Sequence, residues 1–198
     1  MCSSDLPGIE LGTSVENDQL GEKKFRKVLK RAEELKLVIF AHPYGVGPKG
    51  PLGCYYLTNL IGNPLNTVIM VSHLMFSGAL DECPDLKWVL AHGGGYLPYQ
   101  LGRLVHGQKV RKEPNEFTTT SPYDSVKHFW FDALIHNPQA LRFLIDLVGS
   151  EKIVLGTDAA FDMGDEHPIE SLDATPGLTA DERTRIASTN ALKLLGMS

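Results

Sequence analysis

Short, mostly apolar runs recur along the chain with a helical pattern between each pair, and this alternation does most to restrict the fold. Gly8 to Thr13, Leu37 to Pro43, Leu86 to Ala91, His128 to Asp132 and Lys152 to Asp158 read as five strands. Runs that are apolar on both faces suit a buried parallel sheet. No hairpin-type turn separates any two of them, so parallel strands joined by right-handed crossovers are expected. The intervening helices are expected from Glu22 to Lys36, around Cys54 to Ile61, from Thr67 to Leu80 and from Pro98 to Val105. A break is expected at Asn63-Pro64. In the first helix Phe25, Val28, Leu29, Ala32 and Leu35 form an apolar stripe at helical spacing. Asn137-Pro138 opens a further helix that Gly149 ends, and Thr179 with Glu182 forms a capping-box pair for the last one.

Three of the strands end in a side chain that can bind a metal: His42, His92 and Asp158. In a parallel sheet all carboxyl ends lie on one side, where barrel and open α/β enzymes place their chemistry. Residues far apart in sequence can therefore converge there. Two imidazoles and a carboxylate suit a divalent ion such as Zn²⁺, and they suit equally a His–Asp acid/base pair without a metal. His92 is followed at once by Gly93, Gly94 and Gly95, which allow a sharp turn and close approach of the backbone.

Composition narrows the partners. The 198 residues are 42% hydrophobic and 22% charged with a net charge of −5, as in a soluble globular domain without a nucleic-acid footprint. No apolar run approaches the roughly 20 residues of a membrane span. Cys2, Cys54 and Cys83 are odd in number and lack metal-type spacing, so free thiols and a cytoplasmic setting are expected. Met1-Cys2-Ser3-Ser4-Asp5-Leu6 runs into the first strand without a helix or cap, and residues 1–6 are expected to be non-native, ahead of a chain truncated at its N-terminus.

His42-Pro43, Ala91-His92-Gly93-Gly94-Gly95, Gly102-Arg103, His106-Gly107, Asp132-Ala133 and Leu155-Gly156-Thr157-Asp158 occur in that order, with Phe161-Asp162-Met163-Gly164 after them. Across residues 7–198 the chain resembles the amidohydrolase-2 family of the amidohydrolase superfamily, and within it the group of 2-amino-3-carboxymuconate-6-semialdehyde decarboxylase and related decarboxylases. The resemblance implies an α/β fold, an incomplete (β/α)8 barrel holding about strands four to eight. A full barrel usually needs about 250 residues. It also implies a mononuclear metal, usually zinc with Mn²⁺ as another possibility, no organic cofactor, and non-oxidative decarboxylation of a small unsaturated or aromatic carboxylic acid.

By position, the resemblance makes His42 and Asp158 metal ligands and His92 the catalytic acid/base. Arg103 would grip a substrate carboxylate in the neighbouring subunit's site, which implies a homodimer, and Tyr56 would be an active-site aromatic that binds substrate. Two departures stand out: no His precedes His42, so the family's early His-x-His ligand pair is missing, and Ala159-Ala160 replaces the usual Tyr-Pro. Hydrolysis or hydration by the same fold, or an inactive fragment, are the alternatives. Of the other histidines, His73 is expected in a core or interface, His106 in a structural or dimer-interface role, His128 and His136 hydrogen-bonded at strand ends, and His167 exposed.

Overall fold

The computed structural model describes residues 6–44 and 50–197. Apart from Leu6, the expectation for residues 1–6 lies outside the described residues, as does part of the Gly/Pro-rich loop after His42. Among the described residues five strands form one parallel sheet: β1 (Gly8–Gly12), β4 (Val38–His42), β5 (Lys87–Leu90), β6 (Phe129–Asp132) and β7 (Ile153–Val154), side by side in that order. Pairing runs through Ala41 opposite Leu90, Leu90 opposite Phe131 and Phe131 opposite Ile153.

Alternation along these strands separates two apolar layers. Ile39, Ala41, Trp88, Leu90, Phe129, Phe131 and Ile153 belong to the main core, packed with residues of the surrounding helices. Val38, Phe40, Val89, Trp130 and Val154 make the opposite layer, covered by Ala191 and Leu194. His42 continues the row of Val38 and Phe40, and Asp132 continues the row of Trp130, so both extend the inner layer at its carboxyl end.

The helices follow the expected alternation, with differences that have local causes. Helix α1 (Arg26–Glu34) buries Leu29 and Ala32 but leaves Val28 and Leu35 about half exposed. The buried place beside them goes to Arg26, whose guanidinium donates to the Gly21 and Ser77 carbonyls and pairs with Glu82. A small antiparallel pair, β2 (Ser14–Val15) and β3 (Asp18–Gln19), occupies what reads as a polar connection. Asn63-Pro64 does not break the helix: α2 (Asn63–Phe76) continues directly from a π-helical turn at Thr58–Gly62, with the Asn63 N–H donating to the Thr58 carbonyl and Pro64 as the second residue of α2. Gly78 in a left-handed conformation separates it from α3 (Ala79–Glu82).

Helix α4 (Leu97–Val110) runs past Val105, and α5 (Pro122–Ser125) is a single turn capped by Ser121. Helix α6 (Pro138–Val148) begins and ends as expected. Strand β7 is only two residues long, and on its side away from β6 the Leu155 N–H donates to the Ile186 carbonyl. Helix α7 (Pro168–Asp173) was not expected. The last helical stretch is α8 (Ala180–Thr184) and α9 (Asn190–Leu194), joined by a π-helical turn, and the capping box of Thr179 and Glu182 is present.

Candidate active site

His42, His92 and Asp158 meet at the carboxyl ends of β4, β5 and β7. One donor atom from each lies within 4.8 Å of the others. Asp158 Oδ1 is 3.3 Å from His42 Nε2, and its Oδ2 is 3.5 Å from His92 Nε2. The two imidazoles meet edge to face with centroids 5.0 Å apart, and Phe161 stacks on His42 at 5.9 Å. The Asp158 oxygen stands at ion-pair distance but outside hydrogen-bond geometry, and among the described residues the buried His42 Nε2 has no hydrogen-bond partner. Buried polar atoms are nearly always satisfied, so an unpartnered imidazole nitrogen beside a carboxylate and a second imidazole is an open ligand position. The donor set of nitrogen, nitrogen and carboxylate oxygen suits Zn²⁺ or Mn²⁺. These residues therefore fit a divalent metal.

Burial, and then the neighbouring His42, push the His92 imidazole below its usual pKa, against the opposing pull of Asp158. His92 is thus kept neutral near pH 7, the form that can bind a metal or accept a proton. Its backbone is left-handed, with φ of 56°. The turn is fixed from below by Asp132, which accepts from the Gly93 N–H at 2.9 Å and the Leu134 N–H at 3.1 Å. Asp132 is buried, and desolvation pushes its carboxyl up to about 7. Gly156 makes room for it, since a Cβ there would stand 2.7 Å from the Asp132 Cβ.

The mouth of the sheet's inner face holds a cavity of about 460 Å³ whose wall includes Phe40, His42, Asp132, Asp158 and Phe161. A second cavity, about 260 Å³, opens on the other side of His92 and Asp158. Tyr56 is half exposed, and its hydroxyl donates to Asp162 at 2.9 Å, tying the loop after β4 to the loop that carries Asp158. Arg103 is not brought to this group: it is exposed on α4 and lines neither cavity.

Of the remaining histidines, His73 and His106 are exposed, so His73 is not a core residue, and His167 is exposed as expected. His136, expected only as a hydrogen-bonded residue at a strand end, lines the smaller cavity with His92 and Asp158. Asp132 was visible as another strand end. Its link to His92 was not, because it runs through the backbone N–H of Gly93.

A family profile described as Amidohydrolase matches residues 4–197. The chain is 31% identical over 193 residues to 2-amino-3-carboxymuconate-6-semialdehyde decarboxylase of Dictyostelium discoideum, covering 97% of this chain and 54% of that protein. It is 34% identical over 173 residues to the Caenorhabditis elegans protein of the same name, covering 82% and 41%. Among solved structures, the apo form of Metarhizium anisopliae IDCase superposes with a TM-score of 0.82 at 28% identity, over 96% of this chain and 57% of that one. The chain spans about half the length of the curated relatives it matches. Its five parallel strands with their helices are part of a (β/α)8 barrel.

Proposed function

Because the chain belongs to the amidohydrolase family, we propose that it carries the catalytic face of a metal-dependent, non-oxidative decarboxylase acting on a small unsaturated or aromatic carboxylic acid. The observation that carries this reading is the convergence of His42, His92 and Asp158 around an unpartnered imidazole nitrogen at the strand ends. The decarboxylase names of the relatives from Dictyostelium and Caenorhabditis support the reaction type.

In this reading His42 and Asp158 hold the ion, Zn²⁺ or Mn²⁺, and no organic cofactor takes part. The ion supplies Lewis acidity towards the oxygens of the acid. His92, neutral and half enclosed, takes a proton from solvent and, as the imidazolium, delivers it to the carbon that bears the carboxylate. As the carbon–carbon bond breaks, its electron pair passes into the conjugated system and CO₂ leaves. A proton then takes the carboxylate's place on the same carbon, which balances the reaction. Tyr56 holds the loop beside the substrate through Asp162. Arg103, on the outer surface of α4, binds the substrate carboxylate in a second copy of the chain, so the working unit is a homodimer. Its guanidinium suits a carboxylate because it offers paired donors. Cys54 and Cys83 are free thiols, and no helix among the described residues is long and apolar enough to cross a membrane.

The test is metal uptake and CO₂ release by the 198-residue chain with Mn²⁺ or Zn²⁺, beside His42→Ala and Asp158→Ala. Metal bound by the parent and lost in both variants, with CO₂ evolved from a hydroxybenzoate or an unsaturated dicarboxylate, supports the proposal. Weak binding and slow turnover are expected, since the family's His-x-His pair is not in this sequence. Uptake that ignores both substitutions overturns the metal site. Product formed by hydration or hydrolysis without CO₂ replaces the decarboxylase reading.

A further inference from the structure

The turn after β5 holds four successive residues in an unusual backbone. His92, Gly93, Gly94 and Gly95 all have positive φ, of 56°, 59°, 76° and 61°. For His92, which carries a Cβ, such a backbone is disfavoured and persists only where its surroundings over-determine it. Those surroundings come from β6 and the residues just after it. A Cβ on Gly94 would stand 2.7 Å from the Phe131 ring, and one on Gly93 would stand 2.6 Å from the Ile135 side chain. Between these two contacts Asp132 Oδ1 accepts from the Gly93 N–H and, on its own loop, from the Leu134 N–H. The His92 ring has no anchor as firm. Asp158 Oδ2, 3.5 Å from its Nε2, is long for a hydrogen bond, so the backbone decides where the imidazole points. It meets His42 edge to face, with centroids 5.0 Å apart.

We propose that Asp132 is a positioning residue for the reaction: by clamping the Gly93 N–H to the Leu134 loop it aims the His92 imidazole at His42 and Asp158, and so governs turnover without governing metal or substrate affinity. This rests on the decarboxylase reading, in which His92 delivers the proton. Asp132 acts through the backbone of that turn, since the oxygen it uses is committed to two N–H groups. A carboxylate suits the task because one oxygen has acceptor capacity for both. Both donors are buried and need a partner from the protein. The consequence for rate follows from geometry. A misplacement of about 1 Å in a group that transfers a proton can cost on the order of 10²-fold. Ion affinity does not share that sensitivity, because His42 and Asp158 sit on β4 and after β7, outside the turn.

Asp132→Ala and Asp132→Asn, compared with the parent for CO₂ release and Zn²⁺ binding, test this. Asp132→Ala should lower kcat about 10²-fold, with KM and the Zn²⁺ Kd within about twofold of the parent. Asp132→Asn still offers Oδ1 to both donors and should bring kcat back to within about threefold. Ring-to-ring contacts seen by nuclear magnetic resonance in zinc-free protein give a readout that a merely structural role would not move. The His92–His42 contact should appear in the parent and in Asp132→Asn and vanish in Asp132→Ala. The stacking of Phe161 on His42 should remain in all three. Asp132→Ser replaces Asp132→Ala where the latter does not fold, since its hydroxyl is too short to clamp both donors. An unchanged kcat in the truncated variant overturns the proposal. So does an equal loss of Zn²⁺ affinity, or loss of both ring contacts together. A parent that binds Zn²⁺ and releases no CO₂ sinks the decarboxylase reading instead, and the ring contacts then decide alone whether Asp132 aims His92.

Discussion

At Asp132 one carboxylate oxygen accepts two backbone N–H groups, from Gly93 and from Leu134, in a place with 5% exposure. Asp132→Ala would leave both donors buried and unpaired, and a loss of about 1–3 kcal/mol in a urea melt is expected for such groups. Asp132→Asn keeps an acceptor and should lose less. The pH dependence has a definite sign. The folded carboxyl titrates near about 7, above the roughly 3.9 of an unfolded Asp. The native state thus holds its proton more tightly, and the stabilisation is complete below about pH 4 and lost as pH rises through about 7. In chelator-treated protein the stability of the parent relative to Asp132→Asn should therefore fall between those values. A difference that is flat or rising with pH would count against the shift. For His92, replacement by Ala should slow CO₂ release by roughly 10²–10⁴, the usual worth of a general acid/base. The strand-end positions of His42, His92 and Asp158 were legible from the sequence alone. Their distances, and the unpartnered nitrogen of His42, were not, because these depend on how far the sheet curls.

Among the elements, the turn from β5 to α4 is the most tightly specified. Gly95 has φ of 61°, and a Cβ on it would stand 2.4 Å from the Pro64 carbonyl oxygen at the start of α2. Gly95→Ala should therefore destabilise the fold by more than about 1 kcal/mol, seen in the urea midpoint. Because the same turn carries His92, CO₂ release should fall with it. Helix α6 offers a milder comparison. Asn137 accepts from the Gln139 and Ala140 N–H groups at 2.9 and 3.0 Å, and Asn137→Ala should cost about 1 kcal/mol with little effect on metal binding. Helix starts of this kind were readable in advance because a cap is local: Asn137-Pro138 and the Thr179–Glu182 pair each act within a few residues. The hairpin of β2 and β3, the two-residue length of β7 and the helix start at Asn63 were not readable. Leu155 donates to Ile186 on the side of β7 away from β6, and Gly21 closes on α2 so that a Cβ would stand 2.5 Å from the His73 carbonyl oxygen. Such choices are made by tertiary neighbours.

For the molecule as a whole, the parallel topology followed from the alternation of apolar runs and helices. The covering of the inner layer by Ala191 and Leu194 did not, since a periodic stripe does not say which face it will meet. A metal held by His42 and Asp158 would join the strands at the two sides of the site, β4 and β7. If it binds only the folded chain, it should stabilise by about 2.7 kcal/mol at a free concentration 100 times Kd. Thermal melts with and without Mn²⁺ would show a rise in Tm that His42→Ala abolishes. No rise in the parent would mean that His42 and Asp158 do not act together on the ion. The spacing of those donors has a further meaning. Strands β4 and β7 are three ladder steps apart, roughly 14 Å in a flat sheet at about 4.8 Å per step. Yet His42 Nε2 and Asp158 Oδ1 are 3.3 Å apart. The two side chains close a chord across a rolled arc, and the Tyr56–Asp162 bond spans the same gap from outside. Ion affinity is then a gauge of how tightly the sheet is rolled. A substitution that flattens the arc from its far side should weaken binding without touching a single donor.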